Sequence, residues 1–176
     1  MEKILGSFEA RLPKTWTGDV QYRVFVSRDR AVAVRIGGQF AGQSRQLLAH
    51  QFGLLGMLVH KLFIEKREAR RKAEQLKALE LCTMAELLAR DPKNLELSFH
   101  AMKRARIEPQ RFFMHGPAVA RLFFEPQSRE PVKLLLQSLD QLEACCALLS
   151  DVLEGRFAVD PKAPRSGPTA RRAMMG

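Results

Sequence analysis

The sequence predicts an α+β protein in which several antiparallel strands are interrupted by a long helix and followed by one C-terminal helix. Residues 20–27 and 31–36 each show the two-residue period of a strand, and the polar turn Arg28-Asp29-Arg30 joins them. Apolar residues between positions 46 and 64 recur instead at helical spacing. The length of 176 residues allows one domain with a proper core and an appendage.

The remaining elements follow from the same patterns in chain order. A first strand is predicted over residues 4–12, and a short helix over residues 82–90 ends at the turn Asp91-Pro92-Lys93-Asn94. Ser138 is a suitable N-cap for a helix over residues 139–153, and Gly155 ends that helix. Further strands are predicted over residues 95–99, 105–108, 119–125 and 132–137.

The predicted inserted helix, residues 46–80, has two unlike halves. Its first half carries a wide apolar stripe, and two glycines remove side chains from one side so that a second backbone can approach closely. Such a stripe must be buried against something: the domain itself, another copy of the chain, another protein, or lipid. For self-association or docking of a partner protein, the expected contact residues are Leu48, Phe52, Gly53, Leu55, Gly56, Val59 and Leu62.

The second half of this segment is a run of Lys, Arg and Glu residues. It suggests a peripheral membrane protein as the alternative function, with the apolar half at the lipid interface and the basic half at anionic headgroups. The basic residues concerned are Lys66, Arg67, Arg70, Arg71 and Lys72. The net charge of +10 also favours an anionic partner.

Three segments resemble bacterial pleckstrin-homology and GRAM-like domains. Residues 22–35 are similar to the second and third strands of that family, residues 99–107 to the strand before its later hairpin, and residues 139–153 to its closing helix. The resemblance implies a PH-like antiparallel β-barrel or sandwich with a C-terminal capping helix and a long helical insertion between strands. The implied organisation is a β domain over residues 1–45 and 95–155, the helical insertion over 46–94 and a disordered basic tail over 156–176.

The same resemblance implies where an anionic ligand would bind. Members that bind phosphoinositides use basic residues around the first two strands and their loop, which correspond here to Arg11, Lys14 and Arg23. Lys and Arg at a loop mouth are suited to phosphate oxygens. Trp16, beside Lys14, is suited either to a membrane interface or to covering one end of the barrel.

Residue patterns for catalysis and cofactors are missing from the sequence. The four histidines and three cysteines show no zinc-ligand spacing, and the glycines at 37, 38 and 42 are not followed by the Gly-Lys-Ser/Thr of a phosphate-binding loop. The sequence therefore predicts no enzyme, no metal, no cofactor and no small-molecule substrate. Cys82, Cys145 and Cys146 are expected to be small buried apolar residues.

The sequence thus predicts a non-catalytic interaction or scaffold module whose partner is a protein or a second copy. Nucleic-acid binding is disfavoured, because aromatic residues are not interleaved with the basic ones. A cytoplasmic location is expected, with association with an anionic membrane surface as the alternative, because the sequence has neither a signal peptide nor a convincing apolar span.

Overall fold

A computed structural model describes residues 2–13, 19–38, 65–110 and 118–164. The predicted contact residues between positions 48 and 62 lie outside this described part of the chain, as do Lys14 and Trp16. The described residues form strands and helices in the following order: β1 (Gly6–Leu12), β2 (Val20–Val26), β3 (Arg30–Gly38), α1 (Glu65–Glu80), α2 (Met84–Ala89), β4 (Leu95–Ser98), β5 (Met102–Pro109), β6 (Ala120–Pro126), β7 (Val132–Leu136), α3 (Leu139–Val152) and β8 (Phe157–Val159).

The strands form one eight-stranded mixed sheet with the order β4-β3-β2-β1-β7-β6-β5-β8. Neighbouring strands are antiparallel except β5 and β8, which are parallel. The fold-class prediction of a PH-like antiparallel barrel or sandwich is therefore wrong. The observed sheet differs from this prediction because of the segment after α3. The helix returns the chain to the edge of β5, where Phe157 to Val159 pair with β5 in the parallel direction.

The predicted long helical insertion is also corrected. Within the described residues of the span 46–94, the chain forms a helix of 16 residues and a second helix of six, separated by a turn. Thr83 begins the second helix with a capping box, since its hydroxyl accepts from the Glu86 amide and the Glu86 carboxylate accepts from the Thr83 amide. A capping box fixes a helix start, so the two helices are separate elements.

The inner core lies between one face of the sheet and α3. Alternate residues of the strands, including Phe8, Val24 and Leu122, are buried there against Leu142, Cys145 and Leu149 of α3. Close approach of the helix is possible at Gly6, where a Cβ atom would lie 2.8 Å from Cδ2 of Leu148. The predicted helix with its Ser138 N-cap is confirmed, and Gly155 adopts a positive φ of 71° just beyond it.

The outer core lies on the opposite face of β2 and β3. It consists of six fully or almost fully buried residues and receives α2 and the last turn of α1, so both faces of these two strands are covered. Its members are Phe25, Val32, Val34, Leu79, Met84 and Leu87.

Asn94 fixes the connection between α2 and the sheet. Its side-chain amide donates to the Leu87 carbonyl at 2.7 Å and accepts from the Arg35 amide at 2.9 Å. The Tyr22 hydroxyl donates to the neighbouring Lys93 carbonyl at 3.2 Å. Asn94 is 8% exposed, so these bonds satisfy a polar group that burial would otherwise penalise. The predicted stop of the short helix at residues 91–94 is confirmed.

Candidate interaction surfaces

Helix α1 is exposed along most of its described length. Of the side chains that the structure describes from Arg70 to Glu80, only Leu76 and Leu79 are removed from solvent, Leu76 partly and Leu79 almost completely. Arg70 and Glu74 are four residues apart, about one helical turn, and form an ion pair at 3.4 Å. The described side chains from Arg70 to Gln75 are all exposed, so this part of the helix gains little from packing on its own domain, and its surface is available to a partner.

The C-terminal end of α1 is attached to the sheet. Leu79 is 1% exposed within the outer core, and Glu80 Oε1 lies 3.8 Å from Arg23 Nη2 on β2. The next residue, Leu81, is 89% exposed. Among the described contacts, the helix is therefore held at its C-terminal end, and an uncovered leucine lies beside the attachment point.

A second surface lies on the outer face of β1, β7, β6 and β5. The strand register places Arg11 of β1 opposite Leu135 of β7, and Leu135 opposite Arg121 of β6. Leu135 is fully buried between these two arginines. Lys133 follows on the same face, two residues from Leu135. We call Arg11, Arg121 and Lys133 the cation cluster.

Carboxylates balance most of the basic residues on this face. Glu108 forms ion pairs with Arg121, at 3.1 Å, and with Arg106. Arg106 and Arg121 also lie over the ring of Phe123, at 4.8 and 5.6 Å from its centroid. Glu125 bonds Arg104 and Arg106, and Arg104 holds the pKa of the Glu125 carboxyl below its ordinary value. These arginines and glutamates thus form a network of ion pairs on the neighbouring strands β5 and β6.

Lys133 differs from the arginines around it. Within the described residues it forms no ion pair, although Arg11 is 3.8 Å from Asp19 and Arg121 is paired with Glu108. Burial lowers the pKa of the Lys133 ammonium, the positive charge of Arg121 lowers it further, and Glu108 opposes this effect. A half-buried ammonium without a carboxylate partner is a suitable contact for an anionic group.

The structure separates the predicted anion-binding residues into two places. Arg11 and Arg23 share the outer face on adjacent strands, yet both are engaged: Arg11 with Asp19, and Arg23 with Ser7, Glu9 and Glu80. Arg70 and Arg71 are exposed on α1 instead. Lys66, Arg67 and Lys72 belong to α1 as well, but their side chains are outside the described part.

Sequence reasoning missed Arg121 and Lys133. The available signal was the two-residue period of β6, where Arg121, Phe123 and Glu125 alternate with the buried Ala120, Leu122 and Phe124. That pattern predicts an outward row but not its neighbours. Only the order of the strands brings Arg11 to the same place, because β1 pairs with β7, which is distant in sequence.

The cysteines are free in the described structure. Cys145 is fully buried, and burial raises the pKa of its thiol well above the ordinary value. Cys82 and Cys146 are partly buried, which agrees only in part with the expectation that all three are buried. Burial, followed by Glu143, also raises the pKa of Cys146. Neutral thiols are poor nucleophiles, so Cys145 acts as an apolar side chain.

The described residues contain no group of three or more His, Cys, Asp or Glu residues placed to hold a metal ion. None of their helices combines the length and apolar character that are needed to cross a bilayer.

Comparisons with known proteins add one distant structural similarity. No protein-family model matches the chain, and no curated protein matches it. Among solved structures, the chain is similar to the hSac2 domain from human phosphoinositide phosphatase Sac2, with a TM-score of 0.48 and 9% sequence identity. The similarity covers 94% of this chain and 80% of that one.

Proposed function

We propose that the protein is a non-catalytic interaction module whose segment 46–80 docks on another protein surface, foremost on a second copy of the chain. The observation that carries this proposal is the exposure of α1, which is attached to its domain only by its last turn among the described contacts. The exposed part of such a helix gains little stability from packing on its own domain, and a partner would add to it. The apolar stripe that precedes it in sequence supplies the contact residues.

The state of association tests this proposal. We expect the intact chain to have a mass of about twice 20.0 kDa in size-exclusion chromatography with light scattering at micromolar concentration. Phe52→Asp combined with Leu55→Asp places charges in the predicted contact row and is expected to return the mass to that of one chain. Lys103→Asp makes the same charge change at an exposed position of β5, outside this segment; it is the control and should leave the mass unchanged. A single-chain mass for the wild type over the whole concentration range contradicts self-association.

A second candidate function is peripheral binding to an anionic lipid surface. The specific observation in its favour is the cation cluster, in which Lys133 has no carboxylate partner among the described residues. Arg11 lies near the end of β1, on the same outer face as Lys133. Each basic residue near an anionic bilayer contributes about 1 kcal/mol.

Vesicle co-sedimentation tests the second candidate. At low salt, we expect the protein to pellet with phosphatidylcholine vesicles that contain phosphatidylserine but not with pure phosphatidylcholine vesicles. Lys133→Glu should reduce the pelleted fraction, while Lys103→Glu makes the same charge change at an exposed position of β5 and should have a smaller effect. Equal losses in both variants would indicate a response to net charge alone, and no pelleting of the wild type would eliminate this function.

A further inference from the structure

A groove lies along the edge of β4, away from both surfaces described above. Its volume is about 500 Å³, within the range of sites that bind ligands. β4 forms one wall, and the connection between β6 and β7 forms the other, with Pro126, Ser128 and Glu130 in its lining. The side chains of Leu97, Met102 and Val132 also line it and belong to the inner core or pack on it, so the base of the groove is apolar.

The free edge of β4 faces this groove. Among the described strands, β4 is the terminal strand of the sheet and pairs only with β3. The Phe99 amide donates to the Asp29 carbonyl at 2.8 Å, so these two residues form a hydrogen-bonded pair beside β3 and β4. Hydrogen-bonded and non-hydrogen-bonded pairs alternate along antiparallel strands, so Leu97 and Leu95, two and four residues before Phe99, also direct their backbone groups to β3. Glu96 and Ser98 direct theirs away from β3, toward the groove.

We propose that this groove binds an extended peptide segment of a partner protein, which adds to β4 as a further strand. The backbone groups of Glu96 and Ser98 recur every second residue, and only an occupant with the same repeat satisfies them together. The four residues of β4 span about 13 Å at about 3.3 Å per residue, which matches a segment of four to six residues. Apolar side chains at alternate positions of that segment would face Leu97, Met102 and Val132.

The charges of the groove also define the occupant. Glu96 is bound by Arg30 at 2.6 Å, and the opposite wall carries one basic and one acidic residue, Arg129 and Glu130, which form no ion pair with each other. The groove is therefore electrically balanced, unlike the chain as a whole, which carries a net charge of +10. A balanced groove fits an uncharged, β-forming peptide better than a polyanion.

Peptide selection with backbone variants tests this inference. A displayed library of random octapeptides is selected against the intact protein, and enriched peptides are synthesised with a fluorescent label for anisotropy titration. Glu96→Pro removes an amide donor on the groove side while leaving the bonds to β3 intact, and it should weaken binding about tenfold or more. Glu96→Ala loses the same side chain but keeps the amide, so the proline variant should bind about tenfold or more weakly than the alanine variant. Affinity should change little between about 0.05 and 0.5 M salt.

Hydrogen exchange of the wild type supplies a readout that does not depend on the proline variant folding. On addition of a selected peptide, we expect the amides of Glu96 and Ser98 to exchange more slowly, whereas those of Leu95 and Leu97 should change little because β3 already binds them. The inference is overturned if no octapeptide is enriched, if the 96 and 98 amides do not respond, or if a folded proline variant binds equally well. It is also overturned if the free protein is a dimer in which these amides are already protected.

Discussion

At the scale of single residues, Arg30 connects three parts of the chain. Its guanidinium bonds Glu2 near the N-terminus, with Nη2 at 2.6 Å from Oε2, and Glu96 on β4, with Nη1 at 2.6 Å from Oε1. The Ser27 hydroxyl donates to Glu2 as well. The Arg30 hydrogen bond is the main cause that holds the pKa of Glu2 below its ordinary value of 4.5, with burial opposing it. This network joins the N-terminus to the edge of the sheet.

The pH dependence of stability follows from that lowered pKa. A carboxyl group whose pKa is lower in the folded state contributes stability that is complete above its unfolded pKa and is lost as pH falls through the folded value. We therefore expect Glu2→Gln to reduce the free energy of unfolding by about 0.5–1 kcal/mol near pH 7, and the difference from wild type to shrink below about pH 4.5. Urea denaturation at a series of pH values measures this. Glu130→Gln, at an exposed glutamate with no ion pair among the described residues, is the control; a difference that grows toward low pH would contradict the assignment.

At the scale of elements, the joint between α1 and α2 determines where the exposed helix is held. The capping box at Thr83 starts α2 close to the end of α1, so Leu79, Met84 and Leu87 enter the outer core together. Phe25, Val32 and Val34 form the sheet side of that core. Because the described side chains of α1 from Arg70 to Gln75 are exposed, its attachment depends mainly on Leu79 and, to a lesser extent, on Leu76.

A truncation of Leu79 tests whether this buried leucine, rather than any leucine near the end of α1, attaches the helix to the sheet. Leu79→Ala leaves a cavity in the outer core and is expected to cost about 2–5 kcal/mol in the free energy of unfolding. Leu81→Ala removes the same group two residues away, where it is 89% exposed, and should cost less than about 0.5 kcal/mol. Thermal and urea denaturation measure both variants. Similar losses in the two variants would show that Leu79 does not anchor the helix.

The helices and strands also show which features of the fold can be predicted from local sequence patterns. Period-two alternation predicts β2 and β3, and Ser138 and Gly155 predict the two ends of the C-terminal helix, because these signals depend on neighbouring residues. Local patterns do not specify which strands pair. The order of the sheet, the burial of both faces of β2 and β3, and the meeting of Arg11 with Arg121 are consequences of long-range pairing, so they were not predictable in this way.

At the scale of the whole molecule, residues 156–164 complete the fold. The Ala105 amide donates to the Arg156 carbonyl at 2.8 Å, and the Arg156 guanidinium donates to the Phe99 and Met102 carbonyls at 2.8 and 3.2 Å. Ala163 is 4% exposed and belongs to the inner core. The sequence pattern predicts a tail here, because a three-residue strand is too short to show a period. In the structure it covers the edge of β5, which would otherwise be open to pairing with another chain.

Shortening the chain at two points tests whether this segment belongs to the domain. A chain that ends at Gly155 loses β8, the backbone and guanidinium bonds of Arg156 and the buried Ala163. At about 1 kcal/mol for each buried hydrogen bond, with the apolar area added, we expect it to be less stable by about 2–5 kcal/mol. The reference is a chain that ends at Pro164, which keeps every described residue. Urea midpoints of the two chains measure the difference. Equal midpoints would place the domain boundary at residue 155, whereas the expected loss places it beyond Ala163 and makes β8 part of the folding unit. Because the shortened chain also exposes the edge of β5, it should aggregate at lower concentration than the reference.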